Sequence, residues 1–308
     1  MTRDEIMQNL KGIYVPVVTP FNRRGDLDEA GFKRNIRDFV KQGVGGLLVA
    51  GSTGEGPYLS NDEKLRLVDW ARRLVRPPQV LLATTGLETT RETIQLSREA
   101  IARGADAILA VPPSYFKSRM DSPTLTAHFQ TVADALKRPL LIYSIPQFTG
   151  VHIEPAAIAR LSRHGNIAGL KESSGKLEFM QEILRVTNRA FHVMVGSALI
   201  MIEALEAGAA GAILGPANYA TELCLEIDDY YHRGDVGAAR QIQEQLKPLV
   251  LEVNIRCGIP GIKYATDLCG YKGGLPRPPL LPLRHGDQRK VVAALRKARI
   301  PFEQPGAA

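Results

Sequence analysis

Residues 140–171 read LLIYSIPQFTGVHIEPAAIARLSRHGNIAGLK, and this one stretch decides the fold. It opens on a short apolar run, 140–145, and turns at Pro146. A segment with helical spacing follows, with Pro155 at its start, and a second apolar run, 167–170, ends it. Proline suits the first turn of a helix, where its missing N–H leaves nothing unsatisfied. Two apolar runs joined by one helix form a βαβ unit of about 30 residues. Neither run alternates strictly between apolar and polar residues, which predicts strands buried on both faces of a parallel sheet.

Outward from this stretch the same unit recurs. Apolar runs at 13–19, 46–50, 80–84, 107–111, 192–195 and 211–214 bring the total to eight. Amphipathic segments lie between them, for example 62–74 and 90–103. In the first, Leu65, Val68, Ala71 and Leu74 share one stripe, with Lys64, Arg66, Arg72 and Arg73 directed elsewhere. Ser60 and Glu63 have the spacing of a capping box, and Gly43, Gly104 and Gly208 stand where helices should stop. Eight such units predict a closed (β/α)₈ TIM barrel over residues 1–220. An open dinucleotide-binding sheet would need a glycine-rich turn after its first strand, where the chain has Pro20-Phe21-Asn22-Arg23-Arg24-Gly25. Over 221–308 the strand signals stop. Segments 221–231, 235–257, 261–268 and 288–297 read as a C-terminal helical region, larger than one closing helix and available as an appendage or an oligomer surface.

Hydrophobic residues make up 44% of the 308 and charged residues 23%, enough for a large core without staples. Cys224, Cys257 and Cys269 are isolated, so they read as small buried groups in a reducing compartment. The first residues lack the apolar core of a secretory signal, and no uncharged run nears the ~20 residues of a membrane span. A cytoplasmic protein with no membrane partner is expected. The net charge of +7 is scattered over Arg72, Arg73, Arg98, Arg160 and Arg163, with some density from Arg284 to Arg299. No basic tract is interleaved with aromatics, so nucleic acid is not an expected partner; a basic surface also favours carboxylate substrates. His128, His152, His164, His192, His232 and His285 never pair at ligand spacing, and no metal is expected.

In a TIM barrel the chemistry sits at the C-terminal ends of the strands. Lys171 ends the run 167–170, and burial at a barrel mouth disfavours an ammonium, which makes such an amine a nucleophile toward carbonyls. A lysine reaching solvent at a strand end is the plainer alternative. Tyr143 ends the preceding strand, where a phenol could shuttle protons beside the amine; it could equally be a barrel-end aromatic. Gly51-Ser52-Thr53-Gly54-Glu55 offers hydroxyls and backbone N–H groups as a carboxylate cradle, although a tight turn would look the same. Gly196-Ser197 and Gly215-Pro216 raise a phosphate site as a rival, without a clear phosphate loop. Glu172 is expected to point outward or to bond a neighbouring loop.

Three strand ends together, Gly51-Ser52-Thr53-Gly54-Glu55, Tyr143-Ser144-Ile145-Pro146 with Thr149-Gly150, and Gly169-Leu170-Lys171-Glu172-Ser173-Ser174-Gly175, resemble the dihydrodipicolinate synthase / N-acetylneuraminate lyase superfamily. The likeness runs from Gly12 to about Leu280. It implies a class I lyase that forms a covalent Schiff base on Lys171 with pyruvate and needs no cofactor. It also implies Tyr143 as proton shuttle, with Ser52 and Thr53 on the substrate carboxylate and Thr53 relaying protons to Tyr143. Ile213 matches the residue whose backbone carbonyl faces the pyruvate end, and Gly196 and Ser197 lie in the substrate-binding loop. Tyr115 resembles the tyrosine inserted into a neighbouring subunit's site, which implies a homo-oligomer, a dimer of dimers. The chain also departs from the pattern. Phe148 stands where the synthases carry an arginine that grips the aldehyde's carboxylate. Asn61, Lys64 and Ser114 replace residues of the lysine-feedback site, so lysine inhibition is not expected. Gly196-Ser197-Ala198-Leu199 lacks the acidic residues of sialic acid lyases. The set Ser118-Arg119-Met120, Tyr143-Ser144-Ile145-Pro146, Gly196-Ser197-Ala198 and Gly258-Ile259-Pro260-Gly261-Ile262-Lys263 looks most like 4-hydroxy-2-oxoglutarate aldolase, so cleavage of a 4-hydroxy-2-oxo acid to pyruvate and a small aldehyde is the first expectation. Condensation of pyruvate with aspartate semialdehyde (4-hydroxy-tetrahydrodipicolinate synthase) is the alternative, and a non-catalytic 2-oxo-acid sensor is the reading outside enzymes.

Overall fold

Eight strands follow one another in chain order around a closed barrel, each parallel to its neighbours, with the last pairing back onto the first. They are β1 (Gly12–Pro16), β2 (Gly46–Val49), β3 (Val80–Thr84), β4 (Ala107–Ala110), β5 (Leu140–Ser144), β6 (Ile167–Glu172), β7 (His192–Val195) and β8 (Gly211–Ile213). Each falls on one of the eight apolar runs. The structure, a computed structural model, describes residues 1–303, so the end of the expected 221–308 region lies outside the described residues.

Alternation along each strand builds two cores. Residues such as Ile13, Val15, Leu47, Val49, Leu140 and Ile142 face outward into a shell of helices. Tyr14, Leu48, Leu82, Leu109, Leu141, Met194 and Ile213 fill the lumen. Both faces of every strand are therefore dry, which explains why no strand shows a polar face in sequence. The helix Asn61–Arg72 carries the Ser60–Glu63 capping box as expected. Gly43 and Gly104 end helices with φ of +80° and +103°, a region L side chains rarely adopt. One polar position was misplaced: Lys64 is buried, because the first turn of its helix tucks the aliphatic stem inward, and burial lowers its pKa.

A short helix at Arg3–Asn9 escaped the periodicity reading because it spans barely two turns, yet Thr2 and Glu5 close a capping box on it. Its Ile6 and Leu10 pack with Tyr14 and Val80 and plug the N-terminal end of the lumen. After β8, Thr221–His232 packs on β1. The expected single helix over 235–257 is instead Val236–Leu249 followed by a π-helix, Val250–Arg256. Pro248 inside the first explains the break: it has no N–H to donate and crowds the carbonyl one turn back. Gly258–Leu268 and His285–Lys297 complete the C-terminal helices. Of the three cysteines only Cys224 is fully buried; Cys257 and Cys269 are half-buried, against the expectation for all three.

Candidate active site

The site begins with an irregularity in β6. The register runs Leu140 to Ile167 and then Leu141 to Gly169, so Ala168 is an extra residue, a β-bulge. Ile167 and Leu170 both face the helices, which regular alternation forbids; the bulge re-phases the strand so that residue 171 points into the lumen. Gly169 is required there, since a Cβ would collide with the His192 carbonyl oxygen on β7.

Lys171 is thereby aligned between Tyr143 and Met194, both lumenal. Its side chain is only 4% exposed. Nζ lies 3.3 Å from Tyr143 Oη and 4.4 Å from the centre of that ring, and it has no other hydrogen-bond partner among the described residues. Sequence reasoning placed both residues at the mouth, and the structure brings them together. Glu172, on the other face, is fully buried and does bond the following loop, accepting from Ser174 N at 2.7 Å. Desolvation raises its pKa, and its second oxygen has no partner among the described residues.

Ser52 and Thr53 lie in the turn after β2, between two residues forced into left-handed conformation, Ala50 (φ 56°) and Glu55 (φ 57°). Non-glycine residues hold such angles only where their surroundings insist. Here the insistence comes from below. Glu55 is buried and receives Lys263 Nζ at 2.5 Å and Arg277 N at 2.8 Å. Lys263, 1% exposed, also donates to Thr19 O and Leu275 O at 2.8 and 2.7 Å. Burial lowers its pKa to about 8 despite Glu55. Arg277 pairs twice with Glu63 and lies over Phe21, as Lys263 does. This network ties the C-terminal helices to the cradle and was missed in the sequence; its one signal is a lone lysine among small and apolar residues in Gly258-Ile259-Pro260-Gly261-Ile262-Lys263-Tyr264-Ala265.

Ile213 is buried in the lumen at the end of β8. Gly196 packs against Ser173, where any Cβ would strike the serine hydroxyl, and Ser197 Oγ comes 3.5 Å from the Cβ position of Gly175. The 196–197 loop thus abuts the loop that follows Lys171. Tyr115 stands apart: it is 80% exposed, edge-on to Phe116, and among the described residues its hydroxyl makes no hydrogen bond. Its backbone is nonetheless anchored, because Glu88 accepts from Ser114 N and Tyr115 N at 2.9 Å each. Phe148 is 70% exposed on the neighbouring turn. Among the described residues no group of three or more His, Cys, Asp or Glu could hold a metal, and no helix is long and apolar enough to cross a membrane.

A parallel eight-stranded barrel with a buried, single-partnered lysine and a phenol at its mouth defines a barrel enzyme equipped for carbonyl chemistry. The Dihydrodipicolinate synthetase family matches residues 9–298, and the chain belongs to that family of carbon–carbon lyases. It is 35% identical over 284 residues to the 4-hydroxy-tetrahydrodipicolinate synthase of Acidiphilium cryptum, covering 92% of this chain and 97% of that one. A dihydrodipicolinate synthase from Aquifex aeolicus superposes with a TM-score of 0.90 at 28% identity, over 96% of this chain and 100% of the other. The E. coli K12 prophage protein YagE, solved with pyruvate, gives 0.89 at 29%, over 94% and 99%. The Acidiphilium cryptum relative carries the name held above as the alternative, and none of the three is named 4-hydroxy-2-oxoglutarate aldolase.

Proposed function

We propose that the chain is a Schiff-base pyruvate lyase with Lys171 as nucleophile, and the observation that carries this is the buried Nζ 3.3 Å from Tyr143 Oη at the barrel mouth. The neutral amine adds to C2 of a 2-oxo acid, Tyr143 moves protons through the carbinolamine, and water leaves to give an imine. In cleavage, the protonated imine accepts the electron pair of the C3–C4 bond while the C4 hydroxyl loses its proton. An aldehyde departs, and the enamine is protonated at C3 and hydrolysed to pyruvate. Condensation is the same path reversed. Ser52 and Thr53 hold the carboxylate, Thr53 passes protons to Tyr143, and the Ile213 carbonyl with the Gly196–Ser197 loop lines the remainder. No cofactor enters these steps. Tyr115 completes the site of a second subunit in a dimer of dimers; its exposure, beside exposed Phe116 and with its backbone held by Glu88, supports that reading.

For the aldehyde, the names of the relatives support aspartate semialdehyde. A second reading, cleavage of 4-hydroxy-2-oxoglutarate, rests on the likeness carried by residues 118–120, 143–146, 196–198 and 258–263; the exposed ring of Phe148 cannot grip the semialdehyde's carboxylate as a bidentate guanidinium would. Borohydride reduction in the presence of pyruvate should attach the three-carbon unit to Lys171 in a peptide map; an unmodified Lys171 sinks the proposal. Pyruvate consumption with aspartate semialdehyde against pyruvate release from 4-hydroxy-2-oxoglutarate then separates the two readings.

A further inference from the structure

A second cavity lies at the end of the barrel opposite Lys171, and the mechanism above makes no use of it. Its volume is about 590 Å³, and it sits where β1, β2 and β3 begin, beside Gly12, Gly45 and Gln79. Ile13, Val40, Val44 and Leu225 supply apolar wall. Three half-buried polar side chains also line it: Asn9, Gln79 and Asp228. Asn9 spends its amide hydrogens on Glu5 O at 2.8 Å and Met1 Sδ at 3.9 Å. Gln79 spends its own on Val40 O and Val44 O, at 3.1 Å each. What both amides have left to offer is a carbonyl oxygen.

Asp228 is the sharper case. Its Oδ1 is covered and has no hydrogen-bond partner among the described residues. His232, one turn on, gives its Nδ1 hydrogen to Asp228 O at 2.8 Å, and that nitrogen stays 3.5 Å from Oδ1. Burial raises the pKa of Asp228, with His232 opposing. The other oxygen has room in front of it. A Cβ on Gly12 would meet only Asp228 Oδ2, at 3.6 Å, and one on Gly43 would meet nothing within 4 Å. A carboxylate so poorly partnered is costly to keep ionised, and a cation beside it offsets that cost.

We infer that this cavity is a second ligand site, which takes a primary ammonium on a short apolar stem. An ammonium carries three hydrogens and no acceptor, so it complements a wall whose half-buried polar side chains have oxygens to spare. The stem then lies against Val40, Val44 and Leu225. Lys11 is the one lysine or arginine on the wall; it is exposed, so solvent screens it, and its repulsion limits the affinity. The site stands apart from Lys171 and does not depend on the Schiff-base reading.

The test is binding of n-butylamine, followed by calorimetry and by the melting curve at about pH 8, where the amine is charged and a carboxylate ionised. At saturation the melting temperature should rise by about 2 °C or more, while butan-1-ol or sodium chloride at equal concentration leaves it unmoved. Asp228→Asn keeps the shape and removes the charge, and should weaken binding about 10-fold or more. Lys11→Met, an exposed change that spares the fold, should tighten binding about twofold by lifting the repulsion. No binding to the wild type, an equal shift with butan-1-ol or salt, or either variant binding as the wild type does, overturns the site. A cavity that holds only water predicts the first of these results.

Discussion

Two lysines are buried at the mouth of this barrel, and their surroundings differ in the one respect that chemistry needs. Lys263 spends all three of its ammonium hydrogens, on Glu55, Thr19 and Leu275. Lys171 has one long contact, to a phenol, in a lumen otherwise lined by apolar side chains. Burial pushes the pKa of Lys263 down to about 8, so a titration argument alone would make it a nucleophile. Geometry argues the reverse. An amine held by three acceptors has no direction left from which to attack, whereas Lys171 can reach a carbonyl and hand a proton to its neighbour. One lysine holds the cradle; the other is the one we propose for the chemistry.

The sharpest break of that contrast is Lys171→Ala. Activity should fall on the order of 10⁴-fold or more, and pyruvate trapping should vanish, because no other group can take over the covalent step. The melting curve should move little, since Lys171 supports only one contact. Finding the trapped label on Lys263 would reverse the assignment outright. Lys263→Ala should show the opposite profile. It leaves the Glu55 carboxylate buried without its partner, a loss of about 3–5 kcal/mol in stability by urea unfolding. Joining Glu55→Gln to Lys263→Met should recover part of that loss, because no lone charge is then left inside. A single variant as stable as the wild type would show that the network does not hold the cradle.

The same two residues mark how far the sequence could be read. All eight strands were legible, because strands dry on both faces appear as continuous apolar runs such as 80–84 and 192–195. Lys171 and Tyr143 were legible because strand ends say where a barrel does its work. The inward aim of Lys171 was not. It depends on one extra residue in β6, and nothing local distinguishes the bulged Ala168-Gly169 from an ordinary small pair. Lys263 was hidden for a different reason: its partners are 208 and 244 residues away for Glu55 and Thr19, so only tertiary structure shows a charge satisfied in the core. The break at Pro248 had a local cause and could have been read; the π-helix Val250–Arg256 that follows it could not.

A smaller effect tests the partnership inside the reactive half. Tyr143→Phe keeps the ring beside Nζ and removes the hydroxyl that is its one hydrogen-bond partner among the described residues, so turnover should drop about 10²-fold, as for a lost proton shuttle. Trapping should still occur, more slowly, at Lys171. Unchanged rates of both would show that water, rather than the phenol, carries the protons.

His128 supplies the control that the contrast needs, a buried base with a single partner that lies away from the mouth. It sits in the helix Ser122–Asp134, 6% exposed, with Nδ1 2.8 Å from Thr90 Oγ1 and Nε2 without a partner. If sparse partnering alone made a buried base reactive, His128 would qualify; its position outside the barrel gives it nothing to react with. Its signature should be thermodynamic. Desolvation lowers its pKa from 6.5 to about 4. Between those values the unfolded chain binds a proton that the native state refuses, so this contribution is complete above pH 6.5 and drains away as the pH falls toward 4. Between pH 7 and pH 5 the protein should lose about 2 kcal/mol from this group, read as a shift in the urea midpoint. His128→Gln keeps a hydrogen-bonding partner for Thr90 without a titrating ring, and should flatten that stretch of the profile while leaving pyruvate trapping on Lys171 untouched. A variant with the wild-type slope would place the acid sensitivity elsewhere, first at His192, whose pKa burial also lowers from 6.5, and not at Glu172, whose raised pKa makes it gain rather than lose stability as the pH falls.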